Sequence, residues 1–209
     1  HVWEKCIQVE DSSNVVVATD DIRIENHCDN KGIQVINTPK DCKTGTDRVY
    51  QVALKKSADV YINVQGDEPL ISPDDLKIMI NAAYSHPKSV LNAMCPIKSE
   101  NDFYSPNVPK VVTRDDGRLL YITRAAIPTN KKHEFVSAMK QVCIYAYPFN
   151  VLKRYGEHPK KTKLEFIEDI EILRLIELGY EVQMIEVSGS SIAVDTPDDL
   201  KKVRRIVNV

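Results

Sequence analysis

Short apolar runs alternate along this chain with segments whose apolar residues recur at helical spacing. That is the pattern of a largely parallel sheet covered by helices. Residues 14–19 predict a buried strand, Gln34-Val35-Ile36 a second, and Val60-Tyr61-Ile62-Asn63-Val64 a third, with a helix over residues 48–56 between the last two. The helix that follows has clear start signals: Ser72 as N-cap, Pro73 in the first turn, then Asp74 and Asp75. From residue 89 the rhythm changes. Strand-like segments at 89–93, 110–113, 119–122 and 142–147 are joined by loops, one turning at Asp115-Asp116-Gly117, so mixed or antiparallel pairing is expected there. One helix is predicted over residues 164–178, with Leu164, Ile167, Ile170 and Leu173 as its buried stripe and Gly179 as its stop. Strands at 181–187 and Ile192-Ala193-Val194 follow, then a last helix opening Thr196-Pro197-Asp198-Asp199. No repeat or low-complexity linker divides the chain. Residues 1–209 are read as one unit with an excursion from the main sheet at about 89–150.

The start departs from this order. His1-Val2-Trp3-Glu4-Lys5-Cys6 reads as the middle of an amphipathic helix without a cap. A doubly wound sheet begins with a central strand and a phosphate-binding turn. About 30 residues, one βα unit, are therefore expected upstream of His1.

Composition narrows the function classes. A length of 209 residues suffices for one sizeable core, and a formal net charge of −2 gives no reason to expect a nucleic-acid or membrane partner. No apolar stretch approaches the roughly 20 residues that span a bilayer, and no signal peptide is seen. Five cysteines, odd in number and without metal-like spacing, favour reduced thiols in a cytoplasm.

Five segments can carry chemistry. In Asn63-Val64-Gln65-Gly66-Asp67-Glu68-Pro69 an apolar strand ends, a glycine turns the chain, and a carboxylate stands at the sheet edge where α/β folds bind ligands. Such a carboxylate suits Mg²⁺, although an ordinary polar turn fits the spacing equally well. Asp195, in Val194-Asp195-Thr196-Pro197, repeats that grammar, and two strand-end aspartates can converge on one cation. Lys43-Thr44-Gly45-Thr46-Asp47-Arg48 precedes a helix, whose N-terminus and hydroxyls favour an anion or polar ligand, or simply form a cap. Arg124 follows a strand and can fork onto a carboxylate or make a structural ion pair. On the helix at 164–178, Glu165, Glu168 and Ile172 share a face apart from the apolar stripe, which alone reads as solvated.

Taken in order, these motifs resemble the 3-deoxy-manno-octulosonate (Kdo) cytidylyltransferases. The signature Asn63-Val64-Gln65-Gly66-Asp67-Glu68-Pro69 carries the resemblance. Thr44-Gly45-Thr46-Asp47-Arg48, Ser105-Pro106-Asn107 with Lys110-Val111-Val112, Arg124-Ala125-Ala126-Ile127-Pro128, Ile144-Tyr145-Ala146-Tyr147 and Val194-Asp195-Thr196-Pro197 follow in family order. The resemblance implies an α/β fold of the nucleotide-diphospho-sugar transferase type: a Rossmann-like mixed, mainly parallel sheet sandwiched by helices. It implies attack of the sugar's anomeric hydroxyl on the α-phosphorus of CTP, releasing diphosphate and forming a CMP-sugar for lipopolysaccharide or capsule synthesis. Asp67 and Asp195 would hold Mg²⁺ and, with Arg48, form the catalytic set. Thr44, Gly45, Thr46, Gln65 and Gly66 would line the nucleotide pocket. Gln65, Arg124, Gln141, Tyr145 and Glu165 would line the sugar pocket, and a homodimer would form through the excursion. The family's Gly-Lys triphosphate loop belongs to the segment upstream of His1. Two positions depart from the pattern: Gln141 stands where the family has histidine, and Ile172 where it has glutamine, which points to Kdo or a modified relative. The competing readings are a nucleotidylyltransferase for another acidic sugar and a non-catalytic nucleotide-binding paralogue. A Rossmann dehydrogenase lacks its Gly-x-Gly-x-x-Gly turn.

Overall fold

The computed structural model describes residues 1–158, 160–189, 191–194 and 196–207. In chain order the elements are α1 (Val2–Cys6), β1 (Val17–Thr19), α2 (Ile22–Asn30), β2 (Val35–Asn37), α3 (Gly45–Ala53), β3 (Val60–Val64), α4 (Pro73–Ser85), β4 (Val90–Pro96) and α5 (Glu100–Tyr104). They continue as β5 (Lys110–Thr113), β6 (Leu119–Thr123), β7 (Met139–Pro148), α6 (Phe149–Gly156), α7 (Lys163–Glu168), α8 (Ile172–Glu177), β8 (Val182–Glu186) and α9 (Pro197–Val207). The fold is the expected mixed α/β sheet flanked by helices. β1 and β2 pair in parallel as a small sheet of their own. In the six-stranded sheet β4 and β8 are parallel, and β7 runs antiparallel to β3, β4 and β5. β3, β4 and β8 thus point the same way, with β7 reversed between the first two.

β7 is the organising strand. Along one edge it pairs with β4. Along the other, Met139 and Lys140 pair with β5, whereas residues 144–148 pair with β3. Gln141 N–H donates to Pro109 O at 3.1 Å and Cys143 O accepts from Gln65 N–H at 3.3 Å, so the edge passes from one partner to the other across three residues. The two partners succeed each other there, at the carboxyl end of β3.

Alternation along the strands feeds two cores. Tyr61, Tyr145 and Tyr147 face residues of α3, α6 and α8, while Leu91, Ile144 and Ala146 face Leu76, Met79 and Ala83 of α4. Ile97, Phe103 and Ala138 form a smaller core under the excursion.

Two sequence expectations change. The segment Ile192-Ala193-Val194 is not a strand. The single helix at 164–178 is two helices, broken at Asp169, whose φ of 52° and ψ of 47° are left-handed. Arg124 supplies the reason. Its Nε donates to Glu168 O at 2.5 Å and its Nη2 to Asp169 O at 3.1 Å, taking carbonyls that a continuous helix would use for its own N–H groups. Once the helix breaks, its stripe no longer holds: Ile170 and Leu173 are buried, but Ile167 is 65 % exposed.

Candidate active site

Gln65 makes the last ladder bond of β3, and the chain leaves the sheet at Gly66-Asp67-Glu68. The segment after β8 meets it there, Val194 N–H donating to Asp67 O at 2.9 Å. Asp195, the other predicted metal ligand, lies outside the described residues. Its neighbour Val194 nevertheless stands against Asp67. The approach is anchored from α4, where the buried Asp75 accepts from Ser188 N–H (2.9 Å), Ser188 Oγ (2.8 Å) and Gly189 N–H (3.2 Å). Sequence reasoning treated Asp75 only as a first-turn acid. Glu68 is buried beside Asp67, and burial raises its carboxyl above the ordinary value. Among the described residues no group of three or more His, Cys, Asp or Glu side chains is poised to hold a metal. An ion that takes one or two carboxylates plus phosphate and water fits such a donor set.

The Thr44–Arg48 motif opens α3 as expected, Thr44 Oγ1 accepting from Asp47 N–H at 3.1 Å. Its helix end does not offer a phosphate cradle. Thr46 N–H donates to Glu171 Oε2 at 2.8 Å, so a buried carboxylate already holds that position. Of the anion or polar ligand expected there, the polar one remains. Thr46 Oγ1 bonds Tyr147 OH at 2.9 Å and Thr44 Oγ1 bonds Tyr155 OH at 3.0 Å, tying the motif to the core beneath. Arg48, expected among the catalytic groups, is paired elsewhere. Its Nη2 lies 3.0 Å from Asp20 and its Nη1 donates to Thr38 Oγ1 at 2.5 Å, fastening α3 to the residues just past β1 and β2.

Gln65 and Gly45 belong together. A side chain at Gly45 would place its Cβ 3.0 Å from Gln65 Nε2 and 3.5 Å from Asn63 Nδ2. The glycine is therefore needed because the Gln65 amide lies over it. Asn63 is buried, and its Nδ2 has no hydrogen-bond partner. Gln65 Nε2 donates to Glu171 Oε1 at 2.5 Å. Glu171 was missed in the sequence, although an acid between Ile170 and Ile172 in an apolar run was the available signal. Burial raises its carboxyl above the ordinary value, against the pull of the Thr46 hydrogen bonds.

The expected sugar-binding residues scatter. Arg124 stays partly accessible, but its guanidinium is bonded to the carbonyls of Glu168, Asp169 and Pro106. Gln141 donates its amide to Asn92 Oδ1 at 2.8 Å, while Asn92 fills the β4–β7 irregularity by donating to Val142 O and Ile144 O. Tyr145 is 2 % exposed and stacked on Tyr147, ring centroids 5.8 Å apart. Glu165 is fully buried, and both its oxygens accept from Arg174 at 2.6 Å. Tyr145 and Glu165 are core groups here rather than groups lining a cleft: one is a strand residue under a helix layer, the other the anchor of α7. Ile172 is likewise fully buried in the core. Its apolar character follows from packing, so it gives no ground for a modified sugar.

Comparison with known proteins agrees with the fold and the motif order. The family model described as cytidylyltransferase matches residues 1–185. The 3-deoxy-manno-octulosonate cytidylyltransferase of Acidobacterium capsulatum is 39 % identical over 194 residues, 92 % of this chain and 78 % of that protein. That of Escherichia coli is 37 % identical over 207 residues, 99 % of this chain and 84 % of that protein. The solved structure of a CMP:2-keto-3-deoxy-manno-octonic acid synthetase complexed with CTP superposes with a TM-score of 0.91 at 36 % identity, covering all of this chain and 86 % of that one. HddC of Yersinia pseudotuberculosis, at 13 % identity and a TM-score of 0.61 over 92 % of this chain and 77 % of that one, shares the fold alone. On the motif order and on these matches, the chain belongs to the cytidylyltransferase family.

Proposed function

We propose that this chain transfers CMP from CTP to the anomeric hydroxyl of 3-deoxy-manno-octulosonate, releasing diphosphate. One observation carries the reading: the whole chain superposes on a CTP-bound synthetase, and the strand-end loop Gln65–Glu68 meets the segment that leads to Asp195. Asp67 and Asp195 are the residues proposed to hold Mg²⁺. When bound, the ion would neutralise phosphate charge and orient the attacking hydroxyl. Gln65 stands at the end of β3, two residues before Asp67, and binds ligand through its amide. Asp75 keeps the segment after β8 in place. Positioning and electrostatics, without a covalent intermediate, supply the rate. The enzyme is proposed to act as a homodimer through the excursion at about 89–150, where Tyr104, Leu120 and Val136 are exposed.

The test is diphosphate release by the full-length protein from CTP, Mg²⁺ and Kdo, with Asp67→Ala alongside. Release that needs all three components, and falls about a hundredfold or more in the variant, is expected. Undiminished release in Asp67→Ala removes that residue from the mechanism.

A further inference from the structure

We infer that Glu171 is a positioning residue that fixes the hydrogen-bonding direction of Gln65, so that Gln65 turns its amide oxygen toward the ligand and reads a donor on it. The inference rests on the proposed function for the role of Gln65; the geometry behind it does not.

Thr46 N–H can only donate, and it donates to Glu171 Oε2 at 2.8 Å. The second oxygen, Oε1, stands 2.5 Å from Gln65 Nε2. An ionised carboxylate can only accept, so the Gln65 amide must turn its NH₂ inward. Its oxygen then points away from Glu171. Gly45 completes the seat, because its missing side chain leaves room for the NH₂ group. A fixed acceptor of this kind selects a ligand with an N–H or O–H at that point and rejects one that offers only lone pairs, since two facing acceptors would stay unsatisfied. Two sources have the required chemistry: a sugar hydroxyl and the amino group of cytosine.

The same constraint gives a sharp test. In Glu171→Gln the oxygen of the new amide must still face Thr46 N–H, which leaves its NH₂ facing Gln65. Gln65 then turns over and shows its own NH₂ to the ligand. Exchanging the two side chains, Glu171→Gln with Gln65→Glu, restores an acceptor at the site and keeps the net charge. The full-length protein, the single variant Glu171→Gln and the double variant would be compared by steady-state kinetics, varying CTP and Kdo separately. In Glu171→Gln the KM of one substrate should rise about tenfold while kcat stays within about twofold, and the double variant should recover most of the loss. A rise confined to Kdo assigns the donor to a sugar hydroxyl; a rise confined to CTP assigns it to the base.

The ¹⁵N side-chain spectrum gives a readout that does not need turnover. In the wild type the Gln65 NH₂ protons should exchange slowly with water, and in Glu171→Gln they should exchange as in an exposed glutamine. Unchanged KM values, a double variant no better than the single, or unchanged exchange at Gln65 would each overturn the inference. Absence of turnover by the wild-type protein with CTP and Kdo would instead overturn the proposed function and leave the exchange measurement to decide the role of Glu171.

Discussion

Arg174 and Glu165 form a two-pronged ion pair in the interior, Nε and Nη2 each 2.6 Å from one carboxylate oxygen, with side chains 1 % and 0 % exposed. The same guanidinium reaches Asp47 at 2.9 Å and lies 3.8 Å over the Tyr155 ring. It therefore joins α7 and α8 to the start of α3. Burial alone would lower the Arg174 pKa, but the bonds to Glu165 and the charge of Asp47 hold it above its ordinary value.

Removing that cation strands two carboxylates. Arg174→Met should destabilise the protein by about 3–5 kcal/mol, because an uncompensated charge is left buried. Arg174→Lys keeps a charge but not the planar fork, and should recover only part of the loss. Urea unfolding of both variants checks this, and equal stability of Arg174→Met and wild type would refute it.

Glu168 sets an acid limit on stability. Burial pushes its carboxyl up, but hydrogen bonds from Arg124 N–H, Thr123 and Tyr121 outweigh burial and hold it below the ordinary 4.5. A group with a depressed folded-state pKa contributes stability that is complete above its unfolded value and disappears as pH falls through the folded one. The melting temperature should thus decline below about pH 4.5, and Glu168→Gln should flatten that part of the curve. Parallel profiles for the two proteins would count against it.

Gly45→Ala puts a methyl 3.0 Å from Gln65 Nε2. The amide must shift from Glu171, at a cost of about 1–3 kcal/mol in overpacking. Lower stability with a raised KM should accompany the change, measured by thermal melts and diphosphate release. A variant with wild-type KM would show that Gln65 tolerates the displacement.

Asp75→Ala removes three hydrogen bonds to Ser188 and Gly189. Two backbone N–H groups lose their acceptor, and a loss of about 1–3 kcal/mol is expected. Amide hydrogen exchange should quicken across residues 188–194, and diphosphate release should fall, because that segment leads to Asp195. Unaltered exchange would dissociate Asp75 from the segment's placement.

What the sequence disclosed depended on range. β3 was placed to the residue, and the starts of α4 and α9 followed from Ser72-Pro73 and Thr196-Pro197, because strand alternation and caps are local. The break between α7 and α8 was hidden, because its cause is Arg124, some 45 residues away in the chain. Antiparallel pairing was expected from residue 89 onward, but the insertion of β7 between β3 and β4 was hidden, since pairing partners leave no mark on the strand itself. The candidate site divides in the same way. Gln65, Asp67 and the Thr44–Arg48 segment were legible as motifs at element ends. That Glu165 and Tyr145 face inward was not, because burial is decided by which helix layer covers them.

The ten residues of β7 lend one side to two clients in succession. Insertions in the β5–β6 hairpin disturb β5 and the β8 residues Gln183 and Met184 that bond its turn, and leave the β3–β7 register alone. A single residue added within β7, by contrast, would send Tyr145 and Asn63 to opposite faces of the sheet. The length of β7 is therefore the constraint that keeps its two partner strands in phase.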